Sequence, residues 1–408
     1  MTSRVIVVGA GLAGLRTAEG LRNAGFAGEI VIIGDESHLP YNRPPLSKEA
    51  LAGDTVNHEA LSFRRKASVS DVEWRLGAQV VAASLEDARV TLADGTEIIG
   101  DVVVAATGVR PRRLRLAGPS FGSATGHHVV RTIEDATALR ADLTPGARLV
   151  VLGAGFIGCE VAATARKLGC SATCVAYDAL PMIRPLGVTL AAELQRRHEQ
   201  HGVEFRLGVG VVGLTGEQRV DGVDLADGSH LSADVVVEAV GSVCNVDWLV
   251  GNGLDLTDGV LADNALRPIR GDGSPLERAA VVGDLARYPN PLFDDVARRV
   301  EHWNIPTETG RRAGTVIAGL LSGDSVAYRG AVVTPFTPMP AFWSDQYELR
   351  IQSFGMPGAA DEQVVLKGDL SDEVVVGYLS DGILMGVVGI GMLRVVSGYR
   401  AQIGKPLS

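Results

Sequence analysis

The chain has 408 residues, 46% hydrophobic and 21% charged, with a formal net charge of −10. At roughly 150 residues per domain this is material for two or three domains with sizeable cores, which excludes a disordered chain and a small disulfide scaffold. The acidic balance argues against a nucleic-acid protein, which would carry a basic surplus.

Fifty glycines are an excess that no Gly-X-Y repeat explains, so they point to tight turns and close backbone approaches to a ligand. The start, Met1 to Arg4 followed by Val5 to Val8, is too short and too soon broken by glycine for a signal peptide. The uncharged stretch Gly382 to Leu393 falls short of the roughly 18 residues a membrane span needs. Both features predict a cytoplasmic protein with no membrane partner. Cys159, Cys170, Cys174 and Cys244 form no Cys-x-x-Cys pair and match no zinc or iron–sulphur spacing. They are predicted to be reduced, small core residues, and no metal site is expected.

In chain order, Val5 to Val8 reads as a strand, Gly9-Ala10-Gly11-Leu12-Ala13-Gly14 as a turn, and Leu15 to Ala24 as a helix stopped by Gly25. Ile30 to Ile33 is the next strand and runs into Gly34-Asp35-Glu36. This is a βαβ unit with a dinucleotide fingerprint. Its glycines serve the tight turn, the approach to a pyrophosphate and helix–strand packing, and the helix N–H groups face the phosphates. Asp35, 21 residues after Gly14, stands where an acid takes the ribose hydroxyls.

The unit recurs. Leu149 to Leu152 is a strand, Gly153-Ala154-Gly155-Phe156-Ile157-Gly158 the turn, Glu160 to Leu168 the helix and Gly169 its stop. A second repeat accompanies it. Leu92-Ala93-Asp94-Gly95, then Asp101 to Val104, then Gly108, is matched 133 positions later by Leu225-Ala226-Asp227-Gly228, Asp234 to Val237 and Gly241. Each copy reads as an Asp-Gly hairpin followed by a buried strand returning to the ligand. A further strand, Ala280 to Val282, ends in Gly283-Asp284. Toward the C-terminus, Tyr347, Leu349 and Ile351 alternate with polar residues as a half-buried strand. Val374 to Leu379 and Ile383 to Val388 read as a hairpin about Ser380-Asp381-Gly382.

Two dinucleotide folds, the first resumed after the second, resemble the two-dinucleotide-domain flavoprotein reductases. Within them the chain resembles the FAD-dependent ferredoxin reductases of oxygenase systems. The stretches that carry the likeness are Leu39 to Lys48, Ala106 to Pro111, Val282-Gly283-Asp284 and Phe342 to Tyr347. The resemblance implies an α/β fold class: two Rossmann-like dinucleotide-binding domains in a glutathione-reductase-like arrangement, plus a C-terminal α+β domain. The boundaries implied are 1–113 with 245–325 for FAD, 114–244 for NAD, and 326–408.

It also implies an activity: electrons pass from NADH through FAD, one at a time, to an iron–sulphur ferredoxin that feeds a haem-thiolate monooxygenase or a Rieske-type dioxygenase. A nicotinamide gives a hydride and an iron–sulphur protein takes single electrons, and a flavin joins the two. The partner is expected to be acidic, and the protein a monomer or homodimer. The positive face expected for docking is Arg311 and Arg312, extended by Arg298 and Arg299, unless Arg299 pairs internally with an acid.

Site residues follow from the same match. Gly9, Gly11, Ala13 and Gly14 are expected at the FAD pyrophosphate and Asp35 on its ribose. Arg43, Lys48, Val80, Ala106, Thr107, Gly108 and Arg131 match further FAD contacts, and Asp284 the ribitol acid. Lys48 would stand near the flavin ring, where a cation favours the anionic reduced form. Trp303 and Trp343 match aromatic neighbours of the flavin. Gly153, Gly155, Ile157, Gly158 and Gly241 are expected to hold the nicotinamide nucleotide, with Arg184 toward its adenosine. Glu160 is implied as the partner of Lys48 beside the nicotinamide, and these two are the candidate catalytic residues.

One departure concerns cofactor choice. The strand Ala172 to Val175 should end in an acid that binds the 2′-hydroxyl of NADH, and Ala176 stands there, with Asp178 two positions on. No Lys or Arg occupies 176–179, so NADH is favoured and NADPH left open. The alternative enzyme class is a flavin-dependent NADH oxidase or a disulfide or peroxide reductase. That class needs a cysteine by the flavin, and positions 39–48 contain none. A signalling flavoprotein resembling apoptosis-inducing factor is disfavoured by the charge of −10.

Overall fold

The computed structural model describes residues 3–407. The elements that position the sites are, in chain order, β1 (Arg4–Val8), α1 (Leu12–Asn23), β2 (Glu29–Ile33), β3 (Val102–Ala105), β4 (Arg148–Leu152), α2 (Phe156–Lys167), β5 (Ser171–Ala176), α3 (Ile183–Gln200), β6 (Val235–Glu238), β7 (Ala279–Val281), α4 (Ile305–Leu321), β8 (Ala341–Gln346) and β9 (Leu349–Gly355). They gather into two compact units. The first comprises residues up to Asn42, Ser62–Arg110 and Cys244–Pro340; the second comprises Arg43–Leu61, Pro111–Val243 and Ala341 onward.

The first unit is built on a parallel sheet in the order β7, β3, β1, β2, then the short strand Glu73–Arg75. The β-branched runs of β1 and β3 pair in register, Val5 with Val102 and Val8 with Ala105, and are buried on both faces as parallel strands usually are. Helix α1 crosses α4 at very short range. A Cβ added to Gly314 would stand 2.6 Å from the Gly20 carbonyl carbon, so part of the glycine excess serves helix contact rather than turns. α4 begins at Ile305, with Pro306 in its first turn, where a missing N–H costs nothing.

The second unit repeats the plan. Its parallel sheet runs Val203–Leu207, β5, β4, β6, His127–His128. Leu149 faces Val235 as Val5 faces Val102, so the duplication read in the sequence is a duplication of strand pairing. Both Asp-Gly repeats turn antiparallel strands, with Gly95 at φ +86° and Gly228 at φ +84°. This unit also holds a five-stranded antiparallel sheet, in the order β8, β9, Ile383–Ile390, Val374–Ser380, Glu362–Gly368. Its core joins Leu186, Leu190 and Leu194 of α3 to Phe342, Ile351, Val376 and Val388.

Three local readings change. Tyr347 is in the turn between β8 and β9 at φ +56°, not in the strand. Residues 325–333 form a helix that packs on α4 in the first unit, and the antiparallel sheet starts at Ala341. Arg43 to Leu61 belong to the same unit as the second glycine turn. Among the described residues, no helix is long and apolar enough to cross a membrane.

Candidate functional site

The first cradle lies at the carboxyl ends of β1, β2 and β3. Gly9, at φ +123°, lets the backbone come so close that an added Cβ would sit 2.2 Å from the Ala106 carbonyl oxygen. Gly14 faces the Gly9 carbonyl oxygen just as tightly, at 2.1 Å. These contacts require glycine for the turn itself. Gly11 differs: a Cβ there would meet nothing within 4 Å, so its smallness clears space above the helix start. α1 has no side-chain cap and no acid in its first turn. Free N–H groups and the positive end of the helix dipole therefore face that space, which fits a pyrophosphate.

The other expected residues of this unit lie on several of its elements. Asp35 is exposed just after β2. Asp284 follows Gly283, whose N–H donates to Thr309 Oγ1 at 2.9 Å, tying the acid's turn to α4. Ala13 meets that turn, since a Cβ on Gly283 would lie 3.0 Å from the Ala13 Cβ. Val80 opens the strand Val80–Ser84. Trp303, 37% exposed, donates from Nε1 to Asn42 Oδ1 at 2.9 Å.

What holds Thr107 and Gly108 is signalled by no motif in the chain. Asn245 holds them with three hydrogen bonds. Its Nδ2 donates to the Thr107 carbonyl at 3.0 Å, its N–H donates to the Gly108 carbonyl at 3.0 Å, and its carbonyl accepts from Thr107 Oγ1 at 2.7 Å.

The second cradle repeats the first. Gly153, at φ +109°, would place a Cβ 2.3 Å from the Ala239 carbonyl oxygen, and Gly158 would meet the Gly153 oxygen at 2.1 Å. Gly155 and Gly241 again have nothing within 4 Å of an added Cβ, and α2 also lacks a side-chain cap and an early acid. Ile157 is 41% exposed beside them. Ala176 is buried at the end of β5, Tyr177 beyond it is 84% exposed, and Arg184 reaches Asp178 only at 3.5 Å.

Arg43, Lys48, Arg131 and Trp343, matched to flavin contacts by resemblance, all lie in the second unit. Arg43 Nη1 donates to the Arg131 carbonyl at 2.7 Å, so those two are brought together. Trp343 is half-buried on the face of β8 opposite Phe342, Ser344 and Gln346.

Lys48 and Glu160 form a buried ion pair, Nζ to Oε1 3.1 Å, with side chains 9% and 6% exposed. Glu160 is set by the first turns of α2, Lys48 by the tight turn Pro44–Ser47. The same carboxylate accepts from Ser344 Oγ at 2.6 Å on Oε1 and from Ser47 Oγ at 2.5 Å on Oε2. Burial pushes the Glu160 carboxyl up from its ordinary range, and the Lys48 charge with the two hydroxyls opposes that rise.

Residues 3–303 match the family model described as pyridine nucleotide-disulphide oxidoreductase, and residues 341–406 match the one described as reductase C-terminal. The chain belongs to the pyridine nucleotide-disulphide oxidoreductase family. It is an oxidoreductase, and membership implies a flavin and NAD(H). Rhodocoxin reductase of Rhodococcus erythropolis is 35% identical over 364 residues, 88% of this chain and 80% of that protein. Putidaredoxin reductase of Pseudomonas putida is 34% identical over 372 residues, 90% of this chain and 83% of that one. The solved covalent complex of putidaredoxin reductase with putidaredoxin superposes with a TM-score of 0.88 at 31% identity, over 98% of this chain and 92% of that one.

The family name refers to disulphide chemistry, but the thiols here are not placed for it. All four cysteines are free and buried. Burial raises the Cys159 thiol far above its ordinary value and pushes Cys174 up to about 12, so neither offers a thiolate at neutral pH.

The arginines expected to dock a partner are mostly engaged. Arg312 donates to the Val332 and Thr334 carbonyls at 3.3 and 2.7 Å. Arg298 pairs with Asp294, and Arg299 with Asp258 and Glu301. Arg311 remains half-exposed, with Glu308 at 3.7 Å.

Proposed function

We propose that the protein is a ferredoxin reductase. It takes a hydride from NADH and delivers electrons one at a time, by way of FAD, to an iron–sulphur ferredoxin that supplies an oxygenase. The observation that carries this reading is the doubled glycine cradle on a chain whose four cysteines are free and buried. Two dinucleotides have places to bind, and no dithiol stands ready to accept their electrons. The flavin, when bound, supplies the conversion from a two-electron donor to a one-electron acceptor.

The chain's own residues bind and orient. The N–H groups at Gly11 and Gly155 receive the two pyrophosphates, and Asp35 and Asp284 receive sugar or ribitol hydroxyls. Glu160 holds the Lys48 ammonium at one point inside a region screened from water, where a fixed charge acts more strongly than in solvent. No side chain needs to give or take a proton for direct hydride delivery.

NADH is the donor favoured, because no cation stands at 176–179 to meet a 2′-phosphate. Placing Glu at Ala176 should widen the NADH preference in kcat/KM about tenfold, since a carboxylate binds the ribose diol and repels phosphate; an unchanged ratio contradicts this placement of the adenosine ribose. Arg311 is the cation offered to an acidic partner. Arg311→Glu should raise the KM for ferredoxin and leave ferricyanide reduction unchanged.

The test of the function is NADH-driven reduction of cytochrome c, with and without an oxygenase-type iron–sulphur ferredoxin. The reading requires turnover that depends on ferredoxin. Peroxide or disulfide reduction that outpaces it would contradict the reading.

A further inference from the structure

A chain of buried polar groups leads away from Glu160 into the antiparallel sheet, and the hydride chemistry above does not use it. Ser344 and Gln346 alternate with Trp343 and Asp345 along β8, so their side chains share the inner face with Phe342; both are fully buried. Gln346 Nε2 lies 2.9 Å from Ser344 Oγ, and Gln346 Oε1 lies 2.6 Å from His198 Nε2 on α3.

The proton positions follow from the carboxylate. An ionised Glu160 can only accept, so Ser344 donates to it. Ser344 Oγ then accepts from the Gln346 amide, which turns the Gln346 oxygen toward His198 and places a proton on His198 Nε2. Every donor in the series points toward Glu160. His198 is itself fully buried, and burial lowers its basicity to a pKa of about 4, so at neutral pH it is an uncharged donor.

We infer that Ser344 and Gln346, fixed by His198, are positioning residues that hold the Glu160 carboxylate ionised and aimed at Lys48. The C-terminal sheet thereby sets the state of the pair that faces the nicotinamide motif. This rests on the functional reading given above. The titratable groups facing Glu160 are Lys48 across the ion pair, Cys159 beside it on α2 and, through three hydrogen bonds in series, His198 on α3. Cys159 stays a neutral thiol, so the balance is between burial, Lys48 and the hydroxyl donors.

The experiment follows Glu160 itself. Infrared difference spectra of the flavin-loaded protein are recorded against pH, with the carboxyl band assigned by its loss in Glu160→Gln. Single-turnover flavin reduction by NADH is measured over the same range. Removing a hydrogen bond to a charged acceptor should raise the titration of the band by about one pH unit in Ser344→Ala. The acid limb of flavin reduction should move up with it. Gln346→Leu should move both in the same direction by less, and Ser344→Thr should restore the wild-type values.

A band that titrates at the wild-type pH in Ser344→Ala and Gln346→Leu overturns the inference, even if either variant is less stable. A band that moves while Glu160→Gln reduces its flavin normally supports the hold on Glu160 and overturns the functional reading of the site.

Discussion

Lys48 Nζ lies 3.1 Å from Glu160 Oε1, and the two residues are 112 positions apart in the chain. A buried pair of this kind is expensive to desolvate, and removing one partner leaves the other charge unpaired. In Lys48→Met the buried Glu160 carboxyl therefore takes up a proton more readily than in the wild type. FAD should remain bound at full occupancy, while flavin reduction by NADH slows at least about tenfold, about 1.4 kcal/mol of barrier. Stopped-flow absorbance and the flavin-to-protein ratio check the two halves separately. Unchanged reduction kinetics would remove Lys48 from the site.

The two cradles make separable demands. A methyl on Gly158 has no room beneath the Gly153 carbonyl, so Gly158→Ala must open the second turn and leave the first intact. The variant should purify with FAD and be reduced by dithionite, but its KM for NADH should rise more than tenfold. Loss of FAD instead would mean the nucleotides are assigned to the wrong cradles.

Asn245 anchors the Thr107–Gly108 loop through side-chain and main-chain contacts, of which Asn245→Ala removes only the Nδ2 bond at 3.0 Å. A hydrogen bond of this sort contributes about 1 kcal/mol. FAD should dissociate several-fold faster from the variant, as flavin fluorescence would register, with NADH affinity unaltered.

His198 supplies a pH dependence of stability. Its pKa falls from 6.5 to about 4 in the folded protein because burial disfavours the imidazolium. The unfolded chain therefore binds the proton more readily between those values. The stabilisation is present above pH 6.5 and is lost as pH falls toward 4, by about 3 kcal/mol in all. Denaturant titrations of wild type and His198→Gln should diverge across that window, the variant losing less on acidification. Parallel curves would show that His198 is not held neutral.

Much of this architecture was legible in the sequence for a physical reason. Gly9, Gly14, Gly153 and Gly158 are dictated by contacts within their own turns, and such local demands repeat at fixed spacing. The Asp-Gly hairpins and the doubled buried strands are local in the same sense. Ser344, Gln346, His198 and Asn245 were not legible. Ser344 reaches Glu160 across 184 positions, and Asn245 reaches Thr107 across 138. Nothing near a serine or an asparagine in the chain announces a distant partner. Period-two alternation about Trp343 could have put Ser344 and Gln346 on one face of a strand, but not against a carboxylate. The expected positive face failed to anticipate local pairing: Arg298 finds Asp294 four positions back in its own strand, and Arg312 finds the carbonyls of Val332 and Thr334 at the end of the helix 325–333.

The most direct measurement of the central claim is an anaerobic double-mixing experiment with thiol counting. The flavin-loaded protein is reduced with one equivalent of NADH and then mixed with two equivalents of an oxidised oxygenase-type iron–sulphur ferredoxin. The account predicts complete flavin reduction in the first step, reduction of both ferredoxin equivalents in the second, and a free-thiol count that never changes. A thiol count that rises by two on NADH addition, or a reduced flavin that leaves the ferredoxin oxidised, would contradict it.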